Sequence, residues 1–165
     1  MSRSPDPAES TADPALAALQ TALRAEHAAI FGYGRLGPEL SGGRRQRAVR
    51  DIEAHRARRD GLRRMVLDRG GVPERAAPAY ELPGEPDGAE AAARVAAQLE
   101  WATARAQLAL AAVPDPEVRA AAGAALQDST LRALSWSEAE VPAWPGYPDD
   151  AFAGAPSPSP APAAD

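Results

Sequence analysis

Three side chains in this sequence are spaced to do chemistry together. Glu26 stands in the seam Leu16, Leu19, Leu23, Glu26, Ile30, Tyr33, whose steps of three and four residues mark the inward face of a helix. A carboxylate there is costly unless a cation, a hydrogen-bond donor or a proton meets it. His55 has the same kind of position in Ala48, Ile52, His55, Arg59, Leu62, Val66, and Glu100 in Ala93, Ala96, Glu100, Thr103, Gln107, Leu110. A fourth inward face is less sharply defined: Val118, Ala121 or Ala122, Ala125, Asp128, Leu131 or Arg132, Trp136.

Two kinds of chemistry suit this set. Glu26, His55 and Glu100, with Asp128 or Gln127 as an auxiliary group, supply the oxygen and nitrogen ligands that iron, manganese or zinc take. Alternatively Arg59, one turn beyond His55, bridges Glu26 and Glu100 with paired hydrogen bonds and makes a metal unnecessary. The central network is then Glu26, Tyr33, His55, Arg59 and Glu100, and it fixes helix register rather than catalysing anything. Both readings stay open at the level of sequence.

Other chemistries find little support. There is no cysteine, which removes disulfides, thiolate metal sites and thiol nucleophiles. Ser129, Ser135 and Ser137 have no histidine to activate them, since His55 is in the seam and His27 points about 100° away from it. Gly42-Gly43 lacks the lysine and spacing of a phosphate loop. A net charge of −5 argues against nucleic acid as a partner. The arginine-rich stretch 44–64 has acids interspersed and no aromatic residues, so it reads as a solvated face. No apolar run of about twenty residues suggests a membrane span, and none near the start suggests a signal peptide. A cytoplasmic protein is expected.

The elements that would position these groups are helices. About a quarter of the residues are alanine and few are aromatic, a balance of close-packed helices. Asp13-Pro14 and Asp115-Pro116 are helix starts, with aspartate as N-cap and proline at the first helical position. Four helices are expected, over about 14–36 or 14–40, 44–69, 88–113 and 116–140. Ser41-Gly42-Gly43 and Gly70-Gly71 act as breaks. Residues 70–87 hold four prolines and no helical period. Extended, they reach about 59 Å, enough to cross a bundle whose longest helix is about 40 Å.

Height then brings the polar residues together. Glu26 lies fifteen residues before Ser41 and His55 fourteen after it; Glu100 lies fourteen before Pro114 and Asp128 fourteen after it. Each is about 21 Å from its turn, so all four belong to one mid-bundle layer. The organisation read from this is a disordered segment 1–12, a four-helix domain over 13–148 with Trp144 and Tyr147 folded over one end, and a disordered proline- and alanine-rich tail 149–165.

One carboxylate or histidine per helix at mid-bundle is how di-iron and di-manganese carboxylate proteins are built. The stretches AEHAAIFGYG (25–34), DIEAHRARRDGL (51–62) and ALSWSEAEVPAW (133–144) resemble the ferritin-like superfamily. They are most similar to a ferritin-like family of uncharacterised function from GC-rich bacteria. The resemblance implies an all-α ferritin-like four-helix bundle with a long connector between helices 2 and 3. It matches Glu26, Glu100 and His55 to metal-site positions and Tyr33 to a nearby tyrosine. Ile52 stands where the bridging glutamate of a Glu-x-x-His pair belongs, and helix 4 has no such pair. A degenerate site follows, in a bundle that acts by self-association, as a dimer, or through a protein partner. An iron- or manganese-binding oxidase-like or storage-like protein is the alternative.

Overall fold

The structure is a computed structural model that describes residues 13–137. The expected disordered segment 1–12, the residues Trp144 and Tyr147, and the tail 149–165 lie outside the described residues. Four helices make an all-α four-helix bundle: α1 (Pro14–Leu36), α2 (Gly42–Asp68), α3 (Gly88–Ala111) and α4 (Pro116–Trp136). A 3-10 turn, Gly37–Glu39, extends α1 before the break.

The aspartates do what their sequence context requires. The Asp13 carboxylate accepts from Ala15 N at 2.9 Å, and that of Asp115 accepts from the backbone N–H groups of Glu117 and Val118. Backbone donors that no helix bond can reach are thereby satisfied. At the other end of α2, Gly70 takes the left-handed conformation (φ 72°), and Gly71 N donates to Val66 O at 2.9 Å, which closes the helix. α4 ends at Trp136 rather than near Glu140, because Ser137 is extended and donates back to Ala133 O with both its N–H and its hydroxyl.

Helix directions follow from which residues meet. Tyr33 reaches Asp51 while Glu26 reaches His55, so α1 and α2 are antiparallel. Tyr33 also reaches Glu100, and Glu26 reaches Gln107, so α3 is antiparallel to α1 and parallel to α2. The chain between α2 and α3 must therefore travel the length of the bundle. It does so along α1, held by Gln20, whose amide donates to Val72 O (2.7 Å) and accepts from Glu74 N (2.9 Å), and by Arg24 on the Glu74 carboxylate (2.7 Å). Farther on, Tyr80 packs on Phe31, and Gly88 N donates to Glu39.

Apolar packing divides into two clusters. One gathers Leu36, Leu40, Val95, Leu99 and Trp136; the other gathers Leu19, Leu23, Val66, Leu110 and Val118. Between them lies the polar layer. On the first side, α1 and α3 approach closely at Gly32, where a Cβ would come within 2.4 Å of Leu99 Cδ1. Gly32→Val is therefore expected to destabilise by about 1–3 kcal/mol through overpacking. Gly34→Val, where a Cβ has open space around it, should cost much less in the same urea titration.

Candidate functional site

The mid-bundle layer is built around the His55 ring. Its Nδ1 is 2.7 Å from Glu26 Oε2 and its Nε2 3.0 Å from Glu100 Oε1, with all three side chains fully buried. Both ring nitrogens face carboxyl groups; with those carboxyls ionised both nitrogens donate, and a ring that donates twice is an imidazolium. Burial alone would lower the His55 pKa, but the hydrogen bonds to Glu100 and Glu26 outweigh it and raise it to about 9.

The remaining donors complete the cage. Glu26 Oε1 accepts from Gln107 Nε2 at 2.9 Å and from Arg58 at 3.3 Å, and the same Arg58 nitrogen donates to Ser129 Oγ at 3.0 Å. Tyr33 donates its hydroxyl to Glu100 Oε1 at 2.8 Å. Burial, with Glu100 and Asp51 beside it, pushes the Tyr33 pKa well up, so the phenol keeps its proton. Asp51 Oδ2 accepts from the Trp136 indole at 2.8 Å, and Arg132 Nε lies 3.4 Å from Oδ1. Burial raises the Asp51 pKa against the opposing pull of the indole. Trp136 is fixed in turn by Tyr33 (centroids 6.2 Å apart) and by Arg47 over its ring (5.3 Å).

Three carboxyl groups, of Glu26, Asp51 and Glu100, thus meet three cationic groups, of His55, Arg58 and Arg132. The layer is formally neutral. That balance is what a buried set of charges needs.

The structure brings Glu26, Tyr33, His55 and Glu100 together, in the layer that equal distance from the turns predicts. It does not bring Arg59 or Asp128 with them. Arg59 pairs with its neighbour Asp60 (2.9 Å) away from the layer, and the bridge between Glu26 and Glu100 is His55 itself. The buried face of α2 runs through Ala48, Asp51, His55 and Leu62, with Arg58 beside it, one residue out of phase with the Ile52–Arg59 seam. Asp128 is 58% exposed and sits at the rim, 3.7 Å from Arg58 and 3.5 Å from Arg132; its neighbour Ser129 takes the inward place. Gln127 is exposed as well. Asp51 and Arg58 are members that the sequence did not reveal; Gln107 stood in the α3 seam and Arg132 among the inward candidates of α4, but neither was given a part in the network. Asp51 was hidden by Ile52, whose apolar side chain suggests the inward phase but is only half-buried.

Residues 18–149 match the domain of unknown function DUF4439. The chain belongs to that family. A solved structure similar to this chain is that of a conserved hypothetical protein, rv2844, from Mycobacterium tuberculosis. Its crystal structure is similar with a TM-score of 0.70 and 35% identity, over 73% of this chain and 92% of that one. No curated protein matches. No helix among the described residues of this DUF4439 chain is long and apolar enough to cross a membrane.

Metal ligation makes specific demands on this layer. A histidine ligand needs a free lone pair, and both His55 nitrogens are engaged with carboxylates. Glu26, which would face the metal, accepts from two further donors. Among the described residues no three carboxylate or histidine side chains are grouped to hold an ion. As the layer is arranged, Glu100 Oε2, buried with no hydrogen-bond partner, is the carboxylate oxygen left to a metal, and His55 would have to give up a proton and a carboxylate contact to join it.

Proposed function

We propose that this chain is a ferritin-like bundle in which a charge network has replaced the metal centre, and that it is a non-catalytic, cytoplasmic scaffold acting by self-association or through a protein partner. The observation that carries this reading is the imidazolium of His55 lodged between Glu26 and Glu100, where a ferritin-like protein would hold its cation. The positive charge such a layer needs comes from the protein's own side chains. Three opposed charge pairs in the interior hold the four helices in one register and engage both nitrogens of His55 and both oxygens of Glu26. What the molecule then offers is its surface.

A second reading rests on one atom. Glu100 Oε2 is buried with no hydrogen-bond partner. Iron or manganese held by Glu26, His55 and Glu100 would occupy it, in an oxidase-like or storage-like protein, provided His55 surrendered its proton and one carboxylate contact. Metal analysis separates the two. Full-length protein purified without chelator is expected to carry iron and manganese well below one equivalent per chain and to melt at the same temperature after either is added. A stoichiometric metal that is lost in Glu26→Ala would overturn the scaffold reading. Light scattering of the same sample tests the assembly: a dimer supports self-association, and a monomer assigns the scaffold's role to a different protein.

A further inference from the structure

The connector that crosses the bundle does more than join α2 to α3. Between it, α1 and α2 lies a groove of about 640 Å³, lined by His27 and Phe31 of α1, Arg59, Asp60 and Arg63 of α2, and Arg75 and Tyr80 of the connector. It is separate from the mid-bundle layer, and its volume falls in the range of small-molecule sites.

Its chemistry is of two kinds. Three guanidinium groups converge on it from two walls, against one carboxylate. Asp60 is engaged by Arg59 at 2.9 Å, and Arg63 adds to the positive field that holds its carboxyl below the usual range, so the carboxylate is outnumbered on this face. The third wall is aromatic, the Phe31 and Tyr80 rings packing at 56° with centroids 5.7 Å apart. This wall is rigidly held. Tyr80 OH accepts from Ala77 N at 2.8 Å, and the His27 ring donates to the Glu74 carbonyl at 3.2 Å, fixing the connector on both sides of Arg75. The aromatic wall and the connector backbone beside Arg75 are thus pre-positioned in one concave space, which lowers the ordering cost of binding.

We propose that this groove binds a small aromatic phosphomonoester, a nucleoside monophosphate or a compound of that shape. A net formal charge of two positive, three arginines less Asp60, matches the roughly −1.5 to −2 of a phosphomonoester near pH 7. Guanidinium forks meet phosphate oxygens in pairs, which a lysine does not do. A planar ring attached to that phosphate stacks on the Phe31–Tyr80 wall. The connector forms one side of the open groove, so the long crossover builds a binding wall as well as spanning the bundle.

Isothermal titration of the full-length protein with AMP tests this, with inorganic phosphate and adenosine as the two half-ligands. AMP is expected to bind saturably, one per chain, at least about tenfold more tightly than either half-ligand, and at least about tenfold more weakly to Arg63→Gln and to Arg75→Gln. Neither variant touches the core, and unchanged melting temperatures confirm that. Phe31→Leu should weaken AMP while leaving any phosphate binding unaltered. Absence of AMP binding up to millimolar concentration would overturn the proposal, as would phosphate binding equal to that of AMP. A short single-stranded oligonucleotide that bound more than tenfold tighter than AMP would also overturn it, in favour of a polymer tracking the arginines of α2.

Discussion

Glu26→Ala is expected to destabilise the bundle by about 3–5 kcal/mol, because it removes the shared acceptor of a buried set of donors. Three groups lose a partner at once: His55 Nδ1, Gln107 Nε2 and Arg58. The imidazolium is then left with Glu100 alone, and with one proton pointing into a cavity where the carboxylate stood. The layer also acquires an uncompensated positive charge. For a domain of this size the melting temperature should fall by about 10–20 °C. Glu26→Gln keeps the volume and one acceptor oxygen, so it should cost clearly less. Urea denaturation of the three proteins checks the order. A Glu26→Ala protein within about 1 kcal/mol of the parent would mean that the carboxylate is solvated or uncharged in the native state.

The second large effect concerns pH. His55 has a native pKa of about 9 against 6.5 for a free histidine, so the folded protein holds a proton that the unfolded chain gives up. The stabilisation is fully present below pH 6.5 and is lost as pH rises through 9. Over that interval stability should fall by about 3 kcal/mol. Asp51 and Tyr33 act in the same direction: with raised native pKa values, the loss from Asp51 begins as pH rises past 3.8 and that from Tyr33 past 10. Comparison with His55→Gln isolates the histidine's share between pH 6.5 and 9. Denaturation midpoints measured at half-unit steps should slope downward there for the parent and stay nearly level for His55→Gln. Equal slopes in both proteins would remove His55 as the cause.

Much of this architecture is written plainly in the sequence, and the exceptions share a physical origin. The α3 seam was legible residue by residue: Ala93, Ala96, Glu100, Thr103, Gln107 and Leu110 are all buried. A helix with small or apolar groups on one face and charges on the other leaves only one phase for packing. α2 offers two. Arginines and acids surround its core residues, and a face about 100° wide accommodates both the Ile52–Arg59 and the Asp51–Arg58 rows. The choice between them is made by α4, which brings Trp136 and Arg132 to Asp51 and Ser129 to Arg58. Those are tertiary partners, invisible to a periodicity on α2 alone. The signal that was available is on α4: a buried indole needs an acceptor, and Asp51 is at the right height to supply one. The same one-residue ambiguity exchanged Asp128 for Ser129, since alanines on several sides of α4 leave its inward face weakly marked. The connector groove was hidden for another reason. Its residues come from three segments that no periodicity relates.

The claim on which the rest depends is that the protein's own imidazolium, rather than a metal, fills the space between Glu26 and Glu100. Nitrogen-15 NMR of histidine-labelled protein tests it directly, with His27→Gln used to assign the two rings. At pH 7.5 both nitrogens of His55 are expected to carry protons, and the ring to titrate near pH 9. A His55 ring that is singly protonated at pH 7.5, or that titrates at or below 6.5, would contradict it.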